Sequence, residues 1–182
     1  MKIQIPFFLF CIILFFACSS NVQNEMVITA DGVGEFTLTA EKPDLGNAYS
    51  ITTETETVVD EMDGDYTETI TTVKNNKDEI VMQRVNNYLI EVFYPEFKTV
   101  EGIHVGMPIS DAVKLMEGKV EVYNPNPTID FIFTVDDKIA FVVSGNDLKG
   151  GSAEFDKYYL NPFEVTVENF NADATIKSIK IR

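Results

Sequence analysis

Residues 129–143 read IDFIFTVDDKIAFVV, in which apolar side chains alternate with other residues on both sides of two aspartates. Alternation with a period of two is typical of a half-buried strand. The alternating positions are Ile129, Phe131, Phe133 and Val135 before the aspartates and Ile139, Phe141 and Val143 after them. Asp136 and Asp137 fit a two-residue turn. The stretch therefore predicts a β-hairpin.

Two more hairpins are predicted upstream. Residues 80–85 and 88–94 are joined by Asn86 and Asn87, and asparagine tolerates the positive φ of tight turns. Farther upstream, the Asp63-Gly64 pair marks a turn between the Thr/Glu-rich residues 51–59 and residues 66–73. The polar residues 52–57 are interpreted as an exposed strand. Short turns join antiparallel neighbours, so we expect antiparallel sheet rather than crossover helices.

Three other segments show strand patterns. Residues 36–40 and 163–167 both alternate apolar with polar side chains, which predicts two short strands. In residues 175–182 the apolar positions are Ile176, Ile179 and Ile181, so the alternation slips by one residue. A β-bulge would explain that slip.

One short helix is predicted near residues 110–117. Ser110 is a suitable N-cap, Asp111 suits the positive end of the helix dipole, and Gly118 can close the last turn. Together with the strands, this helix predicts a fold that is mainly β to α+β. Its antiparallel sheet or sheets would form a sandwich or a half-open barrel.

The N-terminal residues have the pattern of an export signal. Lys2 supplies a positive start, and residues 5–17 contain no charge. That run is too short for a membrane span, which needs about 20 apolar residues. The pair Ala17-Cys18 resembles the lipobox of bacterial lipoproteins, in which the signal is cut before the cysteine and the cysteine is acylated. The alternatives are an ordinary secretory signal cut near Ala17, which would leave a free thiol, and a retained anchor.

This pattern divides the chain into three parts. We expect a lipoprotein signal peptide at residues 1–17, a flexible tether at residues 18–26 and a single mainly β globular domain at residues 27–182. Cys11 would leave with the signal, so the mature chain could form no internal disulfide. Its stability would then come from its hydrophobic core.

Composition excludes several classes of function. The 182 residues include 14 Lys+Arg and 29 Asp+Glu, which gives a formal net charge of −15. Such a chain has no basic surface for nucleic acid, so no nucleic-acid partner is expected. One histidine and two cysteines cannot complete the four ligands of a structural zinc site without added carboxylates. We expect no metal and no other cofactor.

An acidic cluster surrounds Gly64. Asp60, Glu61, Asp63 and Asp65 carry the oxygen ligands that Ca²⁺ prefers. The EF-hand spacing is not met, because aligning Gly64 with the loop glycine places apolar side chains at the first and last ligand positions. The cluster is therefore interpreted as a solvated acidic hairpin tip, with a weak cation cluster as the alternative.

No catalytic residue is predicted. His104 is the only histidine, so any Ser-His-Asp triad would need it, and the chain has no Gly-x-Ser-x-Gly motif. Gly32 and Gly34 begin like a dinucleotide-binding motif, but a strand follows them where that motif needs a helix. Residues 144–162 form the longest segment without a strand pattern. They are either a partly helical surface connection or the candidate binding loop.

Several short motifs occur together in a characteristic order. They are Asp31-Gly32-Val33-Gly34-Glu35, Asp63-Gly64-Asp65-Tyr66, Gly102-Ile103-His104-Val105-Gly106-Met107-Pro108-Ile109-Ser110-Asp111, Ser144-Gly145 and the C-terminal Lys177-Ser178-Ile179-Lys180-Ile181-Arg182. Their order resembles the sigma-E-regulated envelope lipoprotein family. The resemblance implies a location in the bacterial envelope and a link to envelope stress, without an established enzymatic activity or ligand. Only lipidated Cys18 carries over as a functional residue.

The expected function is that of a lipid-anchored envelope protein with a non-enzymatic interaction or envelope-maintenance role. Its partners would be the membrane, through the lipid on Cys18, and another envelope protein. Ser19 and Ser20 give no inner-membrane retention signal, which favours the outer membrane. The alternative is a small-ligand-binding module with aromatic walls formed by Tyr88, Tyr94, Tyr123, Phe131 and Phe141. A carboxylate-dependent hydrolase is a third possibility.

Overall fold

Two β-sheets of unequal size and one short α-helix account for most of the regular structure in the described residues. The computed structural model describes residues 26–59, 64–124, 129–151 and 165–182. In chain order the elements are β1 (Val27–Thr29), β2 (Gly32–Val33), β3 (Phe36–Thr37), β4 (Tyr49–Val58), β5 (Tyr66–Asn75), β6 (Ile80–Val85), β7 (Leu89–Val92), β8 (Lys98–Thr99), α1 (Ile109–Leu115), β9 (Glu121–Tyr123), β10 (Asp130–Thr134), β11 (Ile139–Ser144) and β12 (Ser178–Ile181). Short 3₁₀ helices lie at Gly145–Asp147 and Val167–Asn169.

The large sheet has eight strands in the order β4-β5-β6-β7-β12-β11-β10-β9, and all neighbours run antiparallel. No described strand pairs with the outer side of β4 or of β9, so these two strands form its edges. The small sheet has the order β3-β2-β1-β8. Its β1–β8 pair is parallel, which the sequence did not predict. The expected class, mainly β to α+β with one short helix, is confirmed, and the two sheets pack in a sandwich-like arrangement.

All three predicted hairpins are present as β4–β5, β6–β7 and β10–β11. The last one turns more widely than predicted, since Thr134 pairs with Ala140 and residues 135–139 lie between them. Asp137 (φ 61°) and Asn86 (φ 48°) adopt the left-handed conformation that their turns require. The turn residues 60–63 lie outside the described part of the chain.

The main core forms where the small sheet and α1 cover one face of the large sheet. Fully buried residues of the small sheet, such as Phe36, belong to the same apolar cluster as Met82 and Ile179 of the large sheet. The Phe170 ring closes this cluster, with its centroid 5.5 Å from that of Phe131 and in edge-on contact. Burial of these side chains stabilises the packing of the two sheets.

The helix begins one residue earlier than predicted. Pro108, rather than Ser110, is its N-cap, and no side chain caps it. The Ile109 amide instead donates to the Ala174 carbonyl oxygen at 2.9 Å, so a backbone group satisfies one of the free amides of the first turn. The helix also ends earlier than predicted, at Leu115, with Met116 rather than Gly118 closing it.

The predicted strand at 163–167 is wrong where the structure describes it. Val165 and Thr166 are not in a strand, and Val167–Asn169 is a 3₁₀ helix. The reason is local, because the Thr166 amide donates to Asn169 Oδ1 at 2.8 Å, which closes a tight turn. Residues 163 and 164 lie outside the described ranges. The predicted strand at 36–40 is shortened to Phe36–Thr37.

The predicted β-bulge near the C-terminus is also wrong. The Ile176 amide donates to the Met107 carbonyl oxygen at 3.0 Å, whereas the Lys177 amide donates to that of Val142 at 2.8 Å. From Ser178 onward, β12 pairs in continuous register with β7 and β11. The alternation slips because the chain changes its hydrogen-bonding partner between residues 176 and 177.

Among the described residues, the structure contains no helix with the length and apolar character needed to span a membrane.

Candidate interaction surface

The residues predicted to carry lipid or cations lie mostly outside the described structure. Ala17 and Cys18 precede its first residue, and Asp60, Glu61 and Asp63 fall in the gap at 60–63. Asp65 is described and is exposed. Within the described ranges, no group of three or more His, Cys, Asp or Glu residues is placed to hold a metal ion.

The five aromatic residues proposed as walls of a ligand cleft are not brought together. Phe131 and Phe141 are core residues of the large sheet. Tyr123 packs on the opposite face of that sheet. Tyr94 borders the core, and Tyr88 is 55% exposed in the β6–β7 turn. Core packing therefore accounts for the two phenylalanines.

His104 is half-buried and has a structural partner. It forms an isolated β-bridge with Lys98, and its Nδ1 lies 2.9 Å from the Val105 carbonyl oxygen. Ser110 lies within helix α1. The candidate binding loop at 144–162 begins with the 3₁₀ helix Gly145–Asp147, and its residues 152–162 lie outside the described structure.

The largest departure from ordinary packing is the β4–β5 hairpin. We define the arm as residues 51–58 of β4 and residues 66–73 of β5, which pair in continuous register from Ile51↔Val73 to Val58↔Tyr66. Residues 50–57 of β4 are exposed without exception. Strand β6 pairs with β5 only from Ile70 onward, so the distal part of the arm extends beyond the rest of the sheet.

One face of the arm is uncharged and rich in threonine. Its cross-strand pairs are Thr53↔Thr71, Thr55↔Thr69 and Thr57↔Thr67. The first two pairs bring their hydroxyl oxygens to 3.2 Å and 3.4 Å. Such pairs stabilise a hairpin that has little apolar burial. This face continues the core-facing side of the sheet beyond the region that the small sheet covers.

The other face of the arm is acidic. It carries Glu54, Glu56 and Glu68, and Glu56 lies directly opposite Glu68 in the register. Like charges at directly opposed positions destabilise a sheet. The Tyr88 hydroxyl donates to Glu68 Oε1 at 3.3 Å. Burial and then the Glu68 charge raise the pKa of Tyr88 above its usual value, so this phenol stays protonated and able to donate.

The backbone of β4 presents hydrogen-bonding groups along a free edge. The Thr69 amide donates to Asn86 Oδ1, and the Thr69 carbonyl accepts from the Asn86 amide, both at 2.8 Å. Both backbone groups of Thr69 thus point away from β4. Because antiparallel pairs alternate between bonded and non-bonded positions, the backbone groups of Thr55 point away from β5. No described strand pairs with that edge.

Comparisons with known proteins add little to this geometry. No family model matches the sequence, and no curated protein matches it either. Among solved structures, the chain is similar to the crystal structure of the uncharacterized protein YfeY from Escherichia coli, with 13% sequence identity and a TM-score of 0.49. That alignment covers 74% of this chain and 82% of the other.

Sequence reasoning identified residues 52–57 as an exposed strand but assigned them no function. The available signal was the pair of threonine runs on either side of the Asp63-Gly64 turn, with glutamates at the intervening positions. The free edge was not predictable, because alternation alone does not give strand order. The structure therefore reveals that the exposed strand belongs to an arm with a free edge.

Proposed function

We propose that this protein is a lipid-anchored bacterial envelope protein that acts by binding another envelope component and catalyses no reaction. The observation that carries the proposal is the arm, whose β4 strand is exposed at every position from residue 50 to residue 57. A two-stranded ribbon of this kind is marginally stable by itself. Because the arm extends beyond the core despite this low intrinsic stability, we infer that it contacts a partner.

The composition of the arm supports the same interpretation. If the arm served only to extend the sheet, alternating apolar and polar faces would stabilise it better than opposed glutamates. Glu56 and Glu68 instead place two negative charges at directly opposed positions. Such a charged face keeps a free edge soluble, and it also selects the charge of whatever binds there.

The proposed attachment is the acyl group on Cys18, in the outer membrane, with the tether at residues 18–26 linking the lipid to the domain. Its support is the Ala17-Cys18 pair after an uncharged hydrophobic run, together with the resemblance to the sigma-E-regulated envelope lipoproteins. Two or three acyl chains give stable anchoring, whereas a single chain binds membranes only marginally. Membership of that family is part of this proposal.

The test combines membrane fractionation with site-specific photocrosslinking in bacterial cells. A photoreactive amino acid is placed at Thr55 on the free edge, or at Lys138 in the β10–β11 turn as an exposed control position. Each variant is made with Cys18 intact and with Cys18→Ala. We expect the intact protein in the outer-membrane fraction, and a discrete crosslinked product from Thr55 but not from Lys138.

The two parts of the proposal fail separately. If Cys18→Ala remains in the membrane fraction to the same extent as the intact protein, the lipid anchor is wrong. If Thr55 gives no product while the protein remains membrane-bound, the interaction role of the arm is wrong. Loss of the Thr55 product on Cys18→Ala substitution would show that the interaction depends on anchoring.

A further inference from the structure

We infer that the free edge of β4 binds an extended, cationic peptide segment, which adds to the large sheet as a further strand. This inference rests on the proposed function, because it names the class of partner that the arm would take. It requires three properties of the edge. These are backbone groups that point outward, a negatively charged side-chain face that complements the cationic peptide, and an opposite face that accepts neutral side chains.

The backbone requirement follows from the register. Thr55 directs its amide and carbonyl away from β5, as derived from the Thr69–Asn86 hydrogen bonds. Because the pattern repeats every second residue, Thr53 and Thr57 present their backbone groups on the same side. All three residues are exposed. An incoming strand would therefore find a row of donors and acceptors, as in recognition by strand addition.

The charge requirement is met on the other set of alternating positions. Glu54 and Glu56 lie on the same face of β4, and Glu68 lies next to them on β5. Among the described residues, no lysine or arginine forms an ion pair with any of these three carboxylates. A strand alongside β4 would place every second side chain opposite Glu54 and Glu56. Lysine or arginine at those positions gives favourable cross-strand pairs.

The same charges disfavour a second copy of this chain as the occupant. Each copy carries a formal net charge of −15. In an antiparallel pairing centred on Thr55, Glu54 of the first copy would lie opposite Glu56 of the second. Glu56 of the first copy would likewise lie opposite Glu54 of the second. Like charges at opposed positions weaken such a pairing. A peptide with neutral side chains toward the threonine face and cationic ones toward the glutamates fits both faces.

The experiment uses the full chain in detergent micelles and three labelled peptides. The first alternates threonine with lysine, the second has the same composition with the lysines in one block, and the third replaces each lysine of the first by glutamate. Binding is followed by fluorescence anisotropy. We expect the alternating lysine peptide to bind about tenfold more tightly than the block peptide, because only alternation matches the strand period. The glutamate peptide should not bind.

Two variants separate backbone pairing from attraction between charges. Thr55→Pro removes an outward-directed amide, which proline can do at an edge without breaking the sheet, whereas Thr55→Ala keeps that amide and serves as the matched control. We expect the Thr55→Pro protein to bind the alternating lysine peptide about tenfold more weakly than the Thr55→Ala protein does. The double variant Glu54→Gln, Glu56→Gln should bind the alternating lysine peptide more weakly and lose its preference over the glutamate peptide.

The inference is overturned if the alternating and block peptides bind the unmodified protein equally, since charge alone would then explain binding. That comparison needs no variant and so does not depend on how any variant folds. It is equally overturned if none of the peptides binds. A Thr55 crosslink in cells together with either negative result would leave the proposed function standing and remove only the peptide-strand assignment.

Discussion

The Arg84 guanidinium group lies over the Phe36 ring, 5.2 Å from its centroid. Its Nη1 donates to the backbone carbonyls of Thr37 at 2.8 Å and Ala40 at 2.6 Å. Arg84 belongs to the large sheet and the other three residues to β3 and the chain that follows it. One buried side chain therefore joins the two sheets. Its position also marks the end of the core. Its neighbour across the strands is Thr71, which belongs to the pair of the threonine face that lies nearest the core.

Replacing Arg84 by alanine should strongly destabilise the protein. The substitution removes a cation–π contact and both hydrogen bonds from Arg84 Nη1. The Thr37 carbonyl keeps the Ala40 amide as a donor at 3.4 Å. Hydrogen bonds from charged groups contribute about 1.5–3 kcal/mol, so we expect a loss of about 2–4 kcal/mol. Burial lowers the pKa of Arg84, but arginine remains charged at neutral pH. Urea unfolding followed by circular dichroism measures the change.

Gln83→Ala is the matched control for this prediction. Gln83 precedes Arg84 in β6 and donates to Thr72 Oγ1 at 3.0 Å on the other face of the sheet. Its loss should cost about 1 kcal/mol or less. Arg84→Lys should fall between the two, because lysine keeps the charge but lacks the planar fork. Equal losses for Arg84→Ala and Gln83→Ala would contradict the bridging role of Arg84.

Gly32→Ala tests the close approach of β2 to β3. Gly32 has φ of 156°, and a Cβ atom there would lie 2.2 Å from the Phe36 carbonyl oxygen. Backbone of β3 would have to move to accommodate it, so we expect a loss of at least about 2 kcal/mol in the free energy of unfolding. Gly46→Ala is the control, since Gly46 has φ of 71° and no atom within 4 Å of the added Cβ.

The Gly46→Ala control shows the cost of backbone strain without steric overlap. Alanine at a positive φ costs about 1 kcal/mol through the backbone alone. Gly46→Ala should show that cost and no more. If Gly32→Ala were no more destabilising than Gly46→Ala in thermal unfolding, close packing of β2 against β3 would not be the reason for a glycine at residue 32.

The sequence predicted hairpins well because each depends on residues that are close along the chain. Apolar alternation in residues 129–143 and the Asn86-Asn87 turn were sufficient to predict β10–β11 and β6–β7. The prediction of a β-bulge near residue 177 was wrong because the slip there depends on residues that are far apart along the chain. Alternation reports which face a side chain occupies, but not which strand receives its hydrogen bonds. The change of partner from Met107 to Val142 is a long-range event that local pattern does not record.

The candidate surface was predictable only in part. The exposure of residues 52–57 followed from their polarity, whereas the free edge of β4 depends on strand order in an eight-stranded sheet. The proposed aromatic wall was not assembled, because Phe131 and Phe141 are drawn into the core by burial. Aromatic residues in strands serve packing more often than ligand binding, and sequence alone does not separate the two roles.

Ser110→Ala should have almost no effect on stability. The sequence suggested Ser110 as the helix N-cap, but the structure places Pro108 there and shows no side-chain cap bond. An N-cap serine typically contributes about 1 kcal/mol, so a change within about 0.5 kcal/mol is expected for a residue without that role. Ile109→Ala, at a buried position, should cost about 2–4 kcal/mol in the same urea experiment. A loss of a full cap contribution at Ser110 would contradict the observed helix start.

The Tyr88–Glu68 contact predicts a pH dependence on the alkaline side. Burial first, and then the Glu68 charge and hydrogen bond, raise the pKa of Tyr88 above its ordinary value. A pKa raised in the folded state means that the neutral phenol is favoured by folding. The resulting stability is fully present below the unfolded pKa of about 10 and is lost as the pH rises through the higher folded pKa. Stability should therefore fall above about pH 10.

Glu68→Gln should lower the pKa of Tyr88, because it removes the carboxylate that opposes phenolate formation. NMR titration of the tyrosine ring carbons resolves the individual side chains. Tyr49 is the internal control, since its pKa is raised by burial, Tyr94 and Glu96 rather than by Glu68. Its titration should be unchanged in the Glu68→Gln protein. An unchanged Tyr88 titration would mean that the 3.3 Å contact does not persist in solution.

Glu56→Lys should stabilise the hairpin and weaken the proposed peptide binding at the same time. Glu56 lies directly opposite Glu68, so a lysine would replace repulsion by attraction across the strands. We expect a gain of about 0.5–1 kcal/mol in the free energy of unfolding. Glu101→Lys makes the same charge change at an exposed position in the turn after β8, which controls for the general effect of lowering the net charge.

These two measurements discriminate between the roles of the acidic face. If the glutamates serve recognition, Glu56→Lys raises stability above that of Glu101→Lys while the alternating lysine peptide binds more weakly. If they serve only to keep the free edge of β4 from associating with other chains, peptide binding does not depend on residue 56. Equal stability of the two variants would instead show that Glu56 and Glu68 do not repel each other across the hairpin. A residue that costs stability at the place where it aids binding is expected at a functional surface.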